Sequence, residues 1–126
     1  MQRRYLQEAC VYHPGADKWE SLPALPTPAV AGVAVVHKGR IGLIGGDSGE
    51  LAGSAPLKEA HPGFSTAAQV FDPKVGTWTT EILHLDKGIL GLPVTTTVVR
   101  WKDRDLLLGG EIKPGIRTPQ IRDVSL

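Results

Sequence analysis

Glu111 and Arg117 flank a Pro114-Gly115 pair in the run Gly110-Glu111-Ile112-Lys113-Pro114-Gly115-Ile116-Arg117-Thr118. Pro-Gly is a turn signal, so the turn folds the carboxylate and the guanidinium back toward each other. On residue chemistry alone this is an ordinary surface ion pair of small energetic weight. In a cleft the same two groups are candidates for catalysis, and both readings stay open at this level. Lys113, between them, is either a second anion contact or a solvated ammonium.

The other reactive side chains give weaker signals. His84 falls in a linker, residues 83–92. His37 lies at a tight turn and His61 in a Gly/Ala/Ser/Pro-rich stretch, so both are expected in solvent. Cys10 is the only cysteine, which excludes an internal disulfide and a cysteine-based metal cluster. It sits in an expected strand and reads as a small buried apolar residue. Trp19 and Trp78 read as packing residues, because a thin sheet needs one large apolar contact with its neighbour.

The elements that must position these groups are short strands. Apolar and β-branched runs at residues 9–12, 18–22, 32–37, 40–44, 67–71, 76–80, 95–100, 105–108 and 120–124 are bounded by turn residues. Lys38-Gly39 and Lys102-Asp103 close tight hairpins. With 15 glycines and 10 prolines in 126 residues, the chain reads as all-β. A net charge of +1, with Arg3-Arg4 as the longest basic stretch, gives no footprint for nucleic acid or an anionic membrane surface. No apolar run approaches the roughly 20 residues of a membrane span. Residues 2–8 lack the apolar segment of a signal peptide, so the compartment stays unknown.

The runs repeat. Val11-Tyr12-His13-Pro14 followed by Trp19 matches Val70-Phe71-Asp72-Pro73 followed by Trp78. The hairpin ending in Gly45-Gly46 matches the one ending in Gly109-Gly110. Diglycine at the end of an apolar strand marks a place where backbones approach too closely for a side chain. Units of several short strands at a period near 50 residues read as propeller blades. The order diglycine, aromatic-x-Pro, Trp resembles the kelch motif. With strands a to d counted outward from the channel, residues 1–28 hold c and d of one blade. Residues 29–82 form a full blade with an insertion at 47–65, and residues 83–126 most of a third. That is about two to two and a half blades, against roughly four to eight in a closed propeller. The chain is therefore expected to be a piece of a longer protein or a protomer that borrows neighbours. The b-to-c loops and d-to-a linkers share one face, which gathers residues 23–28, 47–65, 83–92 and 111–118 there.

The 110–118 run resembles the Gly-Glu-x-Lys-Pro-Gly-x-Arg-Thr stretch of the N-acetylneuraminate epimerase (sialic acid mutarotase) family. Phe71-Asp72-Pro73 and the insertion before it also sit where that family has them. The resemblance covers most of this chain but only the middle of a family member, and implies a six-bladed propeller. It assigns the active-site roles to Glu111 and Arg117, with Lys113 and His84 as substrate-binding candidates. The implied substrate is a small acidic sugar, sialic acid. Mutarotation moves a proton off the anomeric hydroxyl and another onto the ring oxygen, work for one carboxyl group. Arg117 suits the sugar carboxylate. No metal or other cofactor is implied, and exported family members imply a periplasmic location. Departures are the shorter insertion, poor in aromatics, and the missing blades. The alternatives are a non-catalytic kelch protein-binding module and an inactive truncated propeller.

Open flanks expose strand edges and apolar blade faces. The isolated chain is therefore expected to self-associate, to aggregate or to show a poorly ordered terminal strand. A monodisperse, cooperatively melting monomer in light scattering and thermal denaturation would overturn this.

Overall fold

The computed structural model describes residues 3–52, 58–89 and 91–126, so residues 53–57 of the 47–65 insertion lie outside the described residues. Nine strands run through the described residues in three antiparallel sheets. The first pairs β1 (Ala9–His13) with β2 (Lys18–Leu22). The second orders β3 (Val33–His37), β4 (Arg40–Ile44), β5 (Ala67–Asp72) and β6 (Thr77–Ile82) as neighbours. The third holds β7 (Val98–Trp101), β8 (Arg104–Lys113) and β9 (Ile116–Asp123).

Local chemistry sets the hairpins. Lys38 and Gly39 both adopt left-handed backbone (φ 48° and 76°), the geometry that lets a two-residue loop follow the strand twist. In the second sheet, Val33, Ile44 and Ala68 form one cross-strand row, and Val35, Gly42 and Val70 the next. Both rows are buried and face Leu92, Leu107 and Val124 of the third sheet and its linker. Gly42 leaves the space that the Leu126 side chain fills. The core is thus the seam between the second and third sheets. Each large side chain fully buried there contributes about 1.5–3 kcal/mol.

The opposite face of the second sheet is closed by the 23–28 linker. The buried Gln69 amide accepts the Thr27 N–H (2.9 Å) and donates to the Thr27 carbonyl (2.8 Å). Trp78 stacks on Phe71 with centroids 5.2 Å apart, and its indole N–H donates to the Pro23 carbonyl at 2.8 Å.

Five expectations need correction. Trp19 is 73% exposed: it stacks on Tyr12, but among the described residues no linker crosses it as residues 23–28 cross Trp78. Cys10 is exposed, because β1 and β2 form only a thin two-stranded sheet. His61 is buried rather than solvated. β8 does not stop at Gly109-Gly110 but runs on to Lys113, since β9 keeps pairing with it up to the turn. The 95–100 strand also shortens at its start, where Thr95 turns left-handed (φ 53°).

The two tryptophans should differ in worth. Trp78→Ala is expected to cost about 2 kcal/mol or more, and Trp19→Ala about 1 kcal/mol or less. Urea denaturation of the two variants checks this, and equal losses would contradict the contrast in packing.

Candidate functional site

The hairpin of β8 and β9 carries Glu111, Lys113 and Arg117, and a backbone crossing fixes its base. Val94, in the linker before β7, exchanges two hydrogen bonds with Glu111: N–H to O at 2.8 Å and O from N–H at 2.9 Å. The crossing depends on Gly110. Its φ is 110°, and a Cβ there would stand 2.8 Å from the Thr96 Cβ and the Val94 carbonyl oxygen. The second sheet repeats the arrangement. Val30 exchanges bonds with Asp47 (3.0 and 2.8 Å), and a Cβ on Gly46 would stand 2.6 Å from the Ala29 backbone. Asp47 therefore occupies in the second sheet the place of Glu111 in the third. The residue directly after each diglycine is the sequence signal for it.

Glu111 and Arg117 are register partners, with β-bulges on either side of Glu111 re-aiming the strand. Their side chains do not form the expected ion pair. Glu111 Oε1 accepts the Gly115 N–H at 2.9 Å, closing its own turn. No described residue makes an ion pair or side-chain hydrogen bond with the Arg117 guanidinium, which is exposed. Neighbours across a hairpin thus remain chemically separate, one carboxylate partly engaged and one guanidinium open.

Lys113 Nζ donates to the Glu59 carbonyl at 2.6 Å. Glu59 belongs to the 3-10 turn Lys58–Ala60, so this bond brings the insertion and the hairpin tip to one face. His84 lies elsewhere. It is exposed and borders a hollow of about 840 Å³ with Arg104, Arg122, Asp123 and Ser125, whose lining does not include Glu111, Lys113 or Arg117. There the Ser125 hydroxyl and the Arg104 guanidinium hold the Asp123 carboxyl below its ordinary value. The structure therefore gathers three of the four candidates and leaves His84 apart.

His61, expected in solvent, has only 7% of its surface exposed. Its ring Nδ1 accepts the Gly63 N–H at 3.0 Å and the ring stacks on Phe64 at 5.2 Å. The signal was the Pro62-Gly63 turn beside it, which folds the chain back onto the imidazole. His61 and Phe64 border a second hollow of about 400 Å³ at the mouth of the second sheet. Among the described residues, no three His, Cys or carboxylate side chains cluster as a metal site.

No family model matches the chain. It is 30% identical to N-acetylneuraminate epimerase of Brucella melitensis biotype 1, over 94% of this chain and 36% of that protein. The solved structure of YjhT matches with a TM-score of 0.71 at 22% identity, over 90% of this chain and 38% of that one. At that identity the structural likeness shows the fold, and the three sheets are part of a propeller. The chain spans a little over a third of the length of each.

Lys113→Met keeps the side-chain length and removes the bond to Glu59. A single exposed charge-assisted bond is worth about 1 kcal/mol here, so opening of the insertion should rise roughly fivefold. Limited proteolysis and amide exchange near residues 58–61 measure it, and unchanged protection would show that the bond does not hold the insertion.

Proposed function

We propose that this chain, a partial propeller of the N-acetylneuraminate epimerase family, supplies the proton-transfer group and the carboxylate anchor of a sialic acid mutarotase. The observation that carries the reading is Arg117. It stands across the hairpin from Glu111, meets no protein partner among the described residues, and offers a planar fork of donors that matches a carboxylate.

The sugar carries its carboxylate on the anomeric carbon, so Arg117 holds the reacting centre directly. Ring opening takes a proton from the anomeric hydroxyl and places one on the ring oxygen. Closure on the other face reverses both transfers, with no change in oxidation state. Glu111 exchanges these protons, directly or through a water. The Gly115 N–H on Oε1 fixes the carboxylate and leaves its second oxygen for the proton. Lys113 acts through the insertion it holds. The other blades of the closed propeller supply the rest of the pocket wall.

One observation favours a non-catalytic binding module: the bond from Gly115 gives Glu111 a structural reason to exist without any chemistry. The two readings separate in a closed propeller carrying these residues. Glu111→Gln should still close the turn yet lower anomer exchange by about 10²–10⁴-fold, with binding largely kept. Arg117→Lys should weaken binding of the acid sugar more than of a neutral sugar. NMR exchange spectroscopy, with the spontaneous rate subtracted, reads both, and the chain alone should stay near that background. Wild-type exchange by Glu111→Gln would leave the binding-module reading ahead.

A further inference from the structure

His61 is more than nine-tenths buried, and only one of its two ring nitrogens has a partner among the described residues. A ring nitrogen that accepts a backbone N–H carries no proton, so Nδ1 is bare and the proton of the neutral ring is on Nε2. That N–H has no side-chain or backbone acceptor among the described residues and is not a fully enclosed atom, so a water or a ligand hydroxyl can accept it. The ring borders the hollow of about 400 Å³.

The rest of the lining says what kind of ligand fits. Asp47 and Glu50 bring carboxylates, Ser48 and Thr66 bring hydroxyls, and Phe64 gives an apolar wall. Among the described residues no Lys or Arg lines it. Such a surface repels an anion and suits a neutral chain of hydroxyls, each of which both donates and accepts. The hollow is also tied to the hairpin. The Glu59 carbonyl bound by Lys113 stands two residues before His61. The backbone of Phe64 touches Gly91 closely enough that a Cβ there would stand 2.7 Å from the Phe64 nitrogen, and Val94, three residues on, clamps Glu111.

We propose that the hollow beside His61 is a subsite for the uncharged, hydroxylated end of the acid sugar, with His61 Nε2–H as the donor that selects it. This rests on the reading of Glu111 and Arg117 as the site for the anomeric end. The two ends of the molecule are then separated by charge: the carboxylate goes to the open guanidinium, and the polyol tail to a hollow where the described residues bring carboxylates and no cation.

The test uses a closed propeller carrying these residues, with N-acetylneuraminate and with its analogue shortened by the last two carbons of the glycerol tail. Imidazole and backbone ¹⁵N NMR report binding. His61→Asn places an amide oxygen near Nδ1, keeping the Gly63 contact and losing the donor. His61→Gln places its amide nitrogen near Nε2 and restores it. The expected result is a shift of His61 Nε2 on adding the full sugar. Binding should be roughly 3- to 10-fold weaker in His61→Asn and recover in His61→Gln, while the shortened sugar binds both alike. If His61→Asn binds both sugars like the wild type while Arg117→Ala loses them, the subsite is wrong and the reading of the anomeric site stands. If binding depends on His61 and not on Arg117, the polyol subsite stands and that reading falls. If neither sugar moves any resonance, both are overturned.

Discussion

Two backbone segments cross at each diglycine with no room between them for a methyl group. At Gly46 and at Gly110 the backbone is left-handed, and an added Cβ would strike the crossing linker within 2.9 Å at each position. The contact lets the linker before each sheet exchange paired hydrogen bonds with the residue after the diglycine. From that clamp follow the position of Glu111, the bulges on either side of it, and the register that sets Arg117 opposite. The crossing also delivers Leu92, two residues before Val94, into the core between the second and third sheets. The placement of Glu111 and the inter-sheet packing thus depend on the same close approach.

The seam explains why loops at one end of these sheets hold their place. Val33, Val35, Ile44, Ala68 and Val70 present one continuous face to Leu107 and Val124, and Leu126 fills the space above Gly42. Burial of several such side chains outweighs any single surface bond near the hairpin by several kcal/mol. The bond from Lys113 to Glu59 therefore tunes the insertion but does not build the platform.

Most of the strand plan was legible because its signals are local. Alternation, Lys-Gly turns and diglycines act over a few residues, and they placed β1 to β7 closely, while β8 and β9 run on through 109–119, where a loop was expected. What depended on neighbours in space was not legible. Trp19 and Trp78 follow the same local pattern, yet only Trp78 lies under a linker with a carbonyl for its indole. Cys10 has an apolar neighbour on each side in sequence but little sheet to cover it. His61 is buried by a turn three residues long inside a stretch whose composition suggested solvent. Near the hairpin, the Pro-Gly turn correctly implied that Glu111 and Arg117 approach, but not that a backbone N–H would take the carboxylate oxygen before the guanidinium did.

That competition bears on what a carboxylate after a diglycine is for. Asp47 accepts the N–H of Gly49, two residues on, and has Tyr5 for its second oxygen at 3.5 Å. Glu111, one methylene longer, accepts the N–H of Gly115, four residues on, across a wider turn. In both sheets the carboxylate closes the loop that leaves its strand, so its presence alone has a structural reason and says nothing of chemistry. The difference lies in what faces it. The second sheet spends the next residues on a long insertion, and the third turns back at once and sets a guanidinium across from the carboxylate. An exposed guanidinium next to a carboxylate, with no side-chain partner among the described residues, costs the structure little and is open to an anion beside a proton acceptor. On the proposed reading, what sets the third sheet apart from the second is therefore the exposed Arg117 rather than the carboxylate that both carry.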